Sequence, residues 1–292
     1  MSANDTLGYK VFVSDPIALN VAEPLPNGES RMFAPLSSTL IFGTRDAVLT
    51  DAPLTIDQGS ALGDWIEGTG KTLTHIFATH GHGDHWFTAG MLSERFGAQL
   101  VASAGTIEQM HVTISVRDFF WDKLWPGQVP DAAVTAVVAP DGRISLEGRD
   151  LLIVDLGHGD TDDSAALHSP DLELVVAGDA VYNGVHQFLG ESADGGRDRW
   201  REAIATVAAL GTGRAIAGHK NKELDDETAR VIRETREYLD AVDELLPKCT
   251  TAVDFFSAMV DRYPNRRLGR TTLWAGARVL YGDVDNALGG WL

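Results

Sequence analysis

The stretch THGHGDHWF, Thr79–Phe87, decides how the rest of the chain is read. It places three of the nine histidines and an aspartate within six positions, as His80, His82, Asp84 and His85, with glycines between them. The run LTHIFA just before it, residues 73–78, has the apolar character of a buried strand, and a helix is predicted from about Asp84 to Phe96. In an extended loop, residues two apart point to the same side. His80 and His82 therefore face one spot, while Asp84 and His85, opening the predicted helix, face a neighbouring one.

The same arrangement recurs further along. His158 follows the apolar run LLIVDLG, Asp179 follows LELVVAG and His219 follows RAIAG, each where the strand pattern stops. One histidine beside a glycine reads as an ordinary turn or core residue. A whole set at strand ends does not, because burying several imidazoles and carboxylates without a cation costs several kcal/mol in desolvation and unpaired donors. A bound metal pair accounts for the set. His75, His111, His168 and His186 are left as ordinary structural residues.

Around this centre the pattern divides into two α/β halves. The first holds YKVFVSD (9–15), a hairpin of STLIFGT (38–44) and DAVLTDA (46–52) turning at Arg45, a helix over about 57–68, the strand AQLVAS and a helix over 106–120. The second runs through AVTAVVA (133–139), RISLEG (143–148), RDLLIVDLG (149–157), SAALHS (164–169) and LELVVAGD (172–179), then a helix over about 197–210 and the strand RAIAGH (214–219). From Asp225 onward the pattern is helical, with stops at Pro247 and Pro264 and a last amphipathic piece over 271–281. Two such halves with a helical tail predict an α/β layered sandwich over 1–222 and a C-terminal helical extension, 223–292, packed on it. That extension has three uses open to it: packing on the sandwich, capping the site, or building a homodimer.

Composition narrows the partners. The 292 residues carry 24 Lys and Arg against 42 Asp and Glu, a formal net charge of -18, which disfavours nucleic acid and anionic membrane surfaces. The single cysteine, Cys249, excludes an intramolecular disulfide and a thiolate metal site. No segment approaches the length of apolar residues a membrane span needs, and MSANDTLGYKVFVSD has neither a basic nor an apolar leader region, so a cytoplasmic protein is expected.

These residues together resemble the metallo-β-lactamase superfamily, whose HxHxDH signature stands here as His80-Gly-His82-Gly-Asp84-His85. The resemblance covers roughly residues 30 to 220, with Asp51 of VLTDA, His158 of LGHGDTDD, Asp179 of VVAGDAVY and His219 of IAGHK in order. It implies a four-layered αβ/βα sandwich, one metal held by His80, His82 and His158, a second by Asp84, His85 and His219, and Asp179 bridging them. Asp51 is implied to support the site from behind. Nitrogen and oxygen donors without thiolate favour two zinc ions per chain, with iron or manganese accepted by some relatives. A water held between such ions has a pKa near about 7 and becomes a nucleophile at neutral pH, and Asp84 is implied to orient it or carry a proton to the leaving group.

The superfamily spans many substrates, so the departures from each pattern decide. Asp179 is unlike true β-lactamases, which carry another residue there. Trp86 and Phe87 stand where glyoxalase II has a glycine pair, and the acidic chain lacks the basic exosites of RNA-processing relatives. Tyr182, three residues beyond Asp179, sits at the spacing where acyl-homoserine lactonases place a tyrosine that hydrogen-bonds the substrate carbonyl. Trp86 and Phe87, together with Phe119, Phe120, Trp121 and Trp125, are candidates to line or cover an apolar pocket, the segment NGVHQFLGE to form its rim, and Lys220 to meet a substrate carboxylate. The expectation is a dinuclear hydrolase opening a lactone or activated ester of a small apolar molecule, with Asp84 and Tyr182 as catalytic residues. β-Lactam or thioester hydrolases would share every ligand, and a mononuclear iron sulfur dioxygenase is the alternative of another class.

Overall fold

A computed structural model describes residues 7–284 and 288–291 of the chain. The first six residues of the N-terminal stretch read above for a leader lie outside the described residues. The first sheet has six strands in the order β1 (Gly8–Val13), β4 (Ser37–Phe42), β5 (Asp46–Thr50), β6 (Thr72–Phe77), β7 (Gln99–Ala102) and β8 (Val137–Val138). β1, β4 and β5 are antiparallel neighbours, and from β5 to β8 the pairing is parallel. A second sheet of five strands runs β13 (Arg214–Ala217), β12 (Leu174–Gly178), β11 (Ser164–Ser169), β10 (Arg149–Gly157) and β9 (Arg143–Leu146). Two short strands, β2 (Ile17–Ala18) and β3 (Met32–Phe33), pair on their own.

The two sheets face each other across an apolar layer that includes Ile41, Val48, Phe77, Val101, Leu174, Val176 and Ile216. On the outer side of the first sheet lie α1 (Ile56–Glu67), α2 (Ala89–Phe96), α3 (Ala104–Ser115) and α4 (Trp121–Leu124). On the outer side of the second lie α5 (Gly196–Ala209), α6 (Thr228–Leu245), α7 (Ala252–Arg262) and α8 (Arg270–Leu280). This is the layered sandwich that the strand and helix patterns predicted, in the four-layered αβ/βα form that the resemblance implied. Local chemistry sets the helix starts: Thr55 and Gln58 form a reciprocal capping box at α1, and Ser103 accepts from Thr106 N–H at α3. The helices beyond residue 222 share one core with the second sheet: Val231, Tyr238, Leu239 and Val242 of α6 pack with Val175, Ala177 and Ala215. No helix among the described residues is long and apolar enough to cross a membrane.

Three elements differ from the sequence reading. The helix predicted from Asp84 begins only at Ala89, because Thr88 is tied by its N–H and hydroxyl to Pro53 O; Gly83–His85 form a tight 3₁₀ turn instead. Of the strand predicted over 133–139, only Val137 and Val138 pair with β7. The helix predicted over 106–120 spans 104–115, and Trp121 turns in to pack on Phe87, with Phe120 packed on Trp121.

Candidate metal centre

Parallel pairing brings the ends of β5, β6, β12 and β13 to one edge, and the sheets are joined there by Ser37 N–H donating to Gly218 O. Asp51, His80, Asp179 and His219 follow these four strands and so arrive together. Close approach is required at Gly218: a β-carbon there would lie 2.0 Å from Asp179 Oδ1 and 2.8 Å from His85 Cε1, so only glycine leaves room.

Among the described residues, three groups of side chains offer ligand atoms within 4.8 Å of one another: His80, His85 and Asp179; His80, His82 and Asp160; and Asp84, His85 and His219. Each imidazole is held from outside by one nitrogen, leaving the other turned inward. His80 Nδ1 meets Thr79 Oγ1 at 3.0 Å, His82 Nε2 meets Glu191 Oε1 at 3.2 Å, His85 Nδ1 meets Asp51 Oδ2 at 2.9 Å and His219 Nδ1 meets Pro35 O at 2.9 Å. Such outer partners fix the ring and its tautomer for metal binding. Asp51 also accepts from Thr79 N–H and Oγ1–H, in a left-handed backbone conformation at φ +61° that aspartate tolerates.

Several of the inward atoms have no hydrogen-bond partner. His85 Nε2, Asp179 Oδ1 and Asp160 Oδ1 are buried and unpartnered. His85 Nε2 lies 3.5 Å from both Asp84 Oδ2 and Asp179 Oδ1, and His219 Nε2 lies 3.3 Å from Asp84 Oδ2 and from Asp179 Oδ2. Orphaned donors and acceptors this close fit the place of a divalent cation. The electrostatics agree. Burial pushes Asp179 up to about 6, and burial with the neighbouring imidazoles holds His80 well below the usual histidine range. At His85 burial opposes the charge, but Asp51, Asp84 and Asp179 outweigh it and raise the ring to about 10. Positive charge is favoured at His85, among three carboxylates, where a divalent cation would supply it.

A comparison with family models matches residues 33–219 to the metallo-beta-lactamase superfamily. The chain belongs to that superfamily. Its members are generally metal-dependent hydrolases, in keeping with the clusters just described. Among solved structures, a metallo-beta-lactamase family protein from Thermus thermophilus matches with a TM-score of 0.62 at 17% identity, covering 90% of this chain and 91% of its own. The metallo-beta-lactamase from Pontibacter korlensis matches with a TM-score of 0.56 at 17% identity, over 79% of this chain and 99% of its own. The metallo-beta-lactamase FIM-1 from Pseudomonas aeruginosa, in its mono-zinc form, matches with a TM-score of 0.56 at 17% identity, over 82% and 96%. At these identities the likeness is one of fold. No curated protein matches the sequence.

Against the superfamily pattern, the structure brings together His80, His82, Asp84, His85, Asp179 and His219, and adds Asp160 and Glu191, which the sequence reading passed over. His158 is not in any of the three groups; its Nδ1 bonds Asp162 Oδ1 at 2.6 Å. Tyr182 is buried beside the cluster and donates to Asp179 Oδ2 at 2.7 Å. Burial, then the Asp179 and Asp160 carboxylates, push its phenol well above the usual range, so it keeps its proton.

A cavity of about 370 Å³ opens over this superfamily site, lined by His82, Asp84, Asp160, Asp179, Tyr182 and His219 at its base. Its walls are largely apolar, with Phe33, Val112, Val116, Phe120, Trp121, Phe188 and Trp291, and the polar side chains among them are Gln109, Glu191 and the threonines Thr113, Thr161 and Thr272. None of the described residues lining it is lysine or arginine. Several expected lining residues are elsewhere. Trp86 and Phe87 are fully buried in the core, where Trp86 Nε1–H donates to Gly81 O and steadies the histidine loop. Trp125 is core as well, and Phe119 is exposed. Asn183, His186 and Gln187 are buried and bond to residues of the C-terminal part, Asn183 to Asp225 O, His186 to Tyr238 and Gln187 to Thr235 O, leaving Phe188 and Glu191 as that segment's contribution to the cavity. Lys220 is buried in an ion pair with Asp226 and does not line the cavity.

Proposed function

We propose that this protein is a dinuclear metal-dependent hydrolase, with zinc as the preferred ion, that opens a lactone or activated carboxylic ester of a small, apolar, uncharged molecule. The observation that carries the substrate class is the cavity: apolar walls over the ligand cluster, with no lysine or arginine among the described residues lining it. A substrate carboxylate or phosphate set against those walls, away from the metal positions, would be desolvated with no lysine or arginine to meet it, at a cost of several kcal/mol. This disfavours β-lactams, whose ring carries a carboxylate, and the formal net charge of -18 disfavours a nucleic acid.

Two bound divalent ions would supply Lewis acidity for the ester carbonyl and lower the pKa of water into the neutral range. The chain's own residues do the rest. At Asp84 burial raises the pKa, but His85, His219 and His82 outweigh it and hold the carboxyl below the usual range, so it is ionised and able to accept a proton from the attacking water. That proton goes to the alkoxide as the ring C–O bond breaks, yielding a hydroxy acid. Tyr182 keeps its proton and lines the cavity, and in this reading its hydroxyl turns from Asp179 Oδ2 to the developing oxyanion once metal ions occupy the Asp179 carboxylate. The aromatic walls hold the acyl chain and exclude bulk water.

The test is a panel of uncharged lactones of increasing chain length, aryl esters, a thioester and a penicillin, run with the metal-loaded protein and after chelation. Chelator-sensitive opening of the lactones, improving with chain length, with the penicillin untouched, is expected. Faster turnover of the penicillin than of any lactone would overturn the substrate class. Oxygen uptake on a persulfide, with one iron per chain and no hydrolysis, would overturn the reaction.

A further inference from the structure

We infer that Asp160, in place of His158, completes the metal position built on His80 and His82. This rests on the dinuclear reading above. His80 Nε2 and His82 Nδ1 are the inward nitrogens of that pair, 3.2 Å apart, and both lie near the Asp160 carboxylate: Oδ2 is 3.4 Å from His82 Nδ1 and Oδ1 is 4.0 Å from His80 Nε2. The Asp160 side chain is 1% exposed and its Oδ1 has no hydrogen-bond partner. A carboxylate buried to this extent near Asp179, with one oxygen toward each of the two imidazole nitrogens and Oδ1 unpartnered, has the chemistry of a metal ligand.

His158 is turned another way. Its Nδ1 is taken by Asp162 Oδ1 at 2.6 Å, and its Nε2, also buried and without a hydrogen-bond partner, lies 3.0 Å from where a β-carbon on Gly196, at the start of α5, would sit, outside the ligand groups that contain His80 and His82. The intervening glycine explains the choice. Gly159 packs against the backbone of Ala180, where a β-carbon would sit 3.3 Å from Ala180 N and Cα, and this contact seats Asp160 next to Asp179. Tyr182 Oη spans the two carboxylates, 2.7 Å from Asp179 Oδ2 and 3.4 Å from Asp160 Oδ2.

A carboxylate in this position makes the donor set more anionic and oxygen-rich than one with a third imidazole, which moves its preference toward harder ions such as Mn²⁺ and Fe²⁺ relative to such a set. The experiment compares the unaltered protein with Asp160→Asn, Asp160→His and His158→Gln. Each is stripped, reloaded with Zn²⁺ or Mn²⁺, and assayed for bound metal by atomic emission, and the stripped proteins are titrated with Co²⁺ by its visible absorption. Two equivalents in the unaltered protein and in His158→Gln are expected. Asp160→Asn should weaken one equivalent by more than the roughly 100-fold that follows loss of a side chain that only orients a ligand. Asp160→His should regain two equivalents with a lower share of Mn²⁺, which separates ligation from folding. Loss of one equivalent in His158→Gln, with two retained in Asp160→Asn, would overturn the assignment. No bound metal in the unaltered protein would overturn the dinuclear reading itself.

Discussion

The Tyr182 hydroxyl donates to Asp179 Oδ2 at 2.7 Å, with both side chains buried, so the phenol steadies the carboxylate that the superfamily pattern places between two metal ions. Tyr182→Phe keeps the ring packing near Trp200 and His219 and removes only the hydroxyl. A drop of about 10- to 100-fold in kcat, with KM little changed, is expected if the hydroxyl acts mainly in the transition state. Steady-state kinetics on the best lactone provides the check, and an unchanged kcat would remove Tyr182 from the mechanism.

Asp51 holds His85 through Nδ1 and Thr79 through its N–H and hydroxyl. Asp51→Asn preserves size and the tolerance of a left-handed backbone while removing the negative charge. Metal affinity is expected to fall about 10- to 100-fold, measured by competition with a chromophoric chelator. Equal affinity in the two proteins would mean that Asp51 serves the fold alone.

Trp291 reaches the cavity from the far end of the chain and packs at 5.4 Å from Phe33 and 5.8 Å from Phe188 between ring centroids. Its carbonyl is held separately by Arg31, so Trp291→Ala removes the wall and leaves that tether. Losing apolar contact worth about 1–2 kcal/mol should raise KM for a long-chain lactone roughly 10-fold with a smaller effect on a short one. A uniform change across chain lengths would argue against a wall role.

His186 is buried away from the cavity, bonded to Tyr238, and burial followed by Arg266 and Arg270 lowers it to about 3. A histidine depressed on folding is neutral in the native state, so its contribution is fully present above the unfolded value near 6.5 and is lost as pH falls from there toward 3. Between pH 7 and 5 this costs about 2 kcal/mol. Urea unfolding of the parent and of His186→Gln at both pH values should show the parent losing more stability by about that amount, and parallel losses would count against the assignment.

Much of this centre is legible from the sequence because the information is local. Strand runs end where their apolar alternation ends, and His80, His82, Asp84, His85, Asp179 and His219 all stand at or just beyond such ends. A short loop then leaves them little freedom to go elsewhere. Spacing also predicted that His80 and His82 share a side, and their facing nitrogens are 3.2 Å apart. The helix start at Asp84 failed because a distant partner, Pro53, claims Thr88. Likewise Trp86 and Phe87 have the composition of pocket residues, but the core behind the loop takes them.

The sequence by itself determined the sandwich, its two halves and six of the clustered donors, since those depend on periodicity and on where strands stop. The tertiary structure decided that Asp160, and not His158, lies within ligand distance of His80 and His82, beside a contact of Gly159 with Ala180 that joins segments following two different strands. It also brought Glu191 to His82 and Trp291 to Phe33, and left the cavity without a lysine or arginine among its described lining residues by pairing Lys220 with Asp226. Side-chain direction in glycine-rich loops is set by packing between distant segments, and no local pattern encodes it.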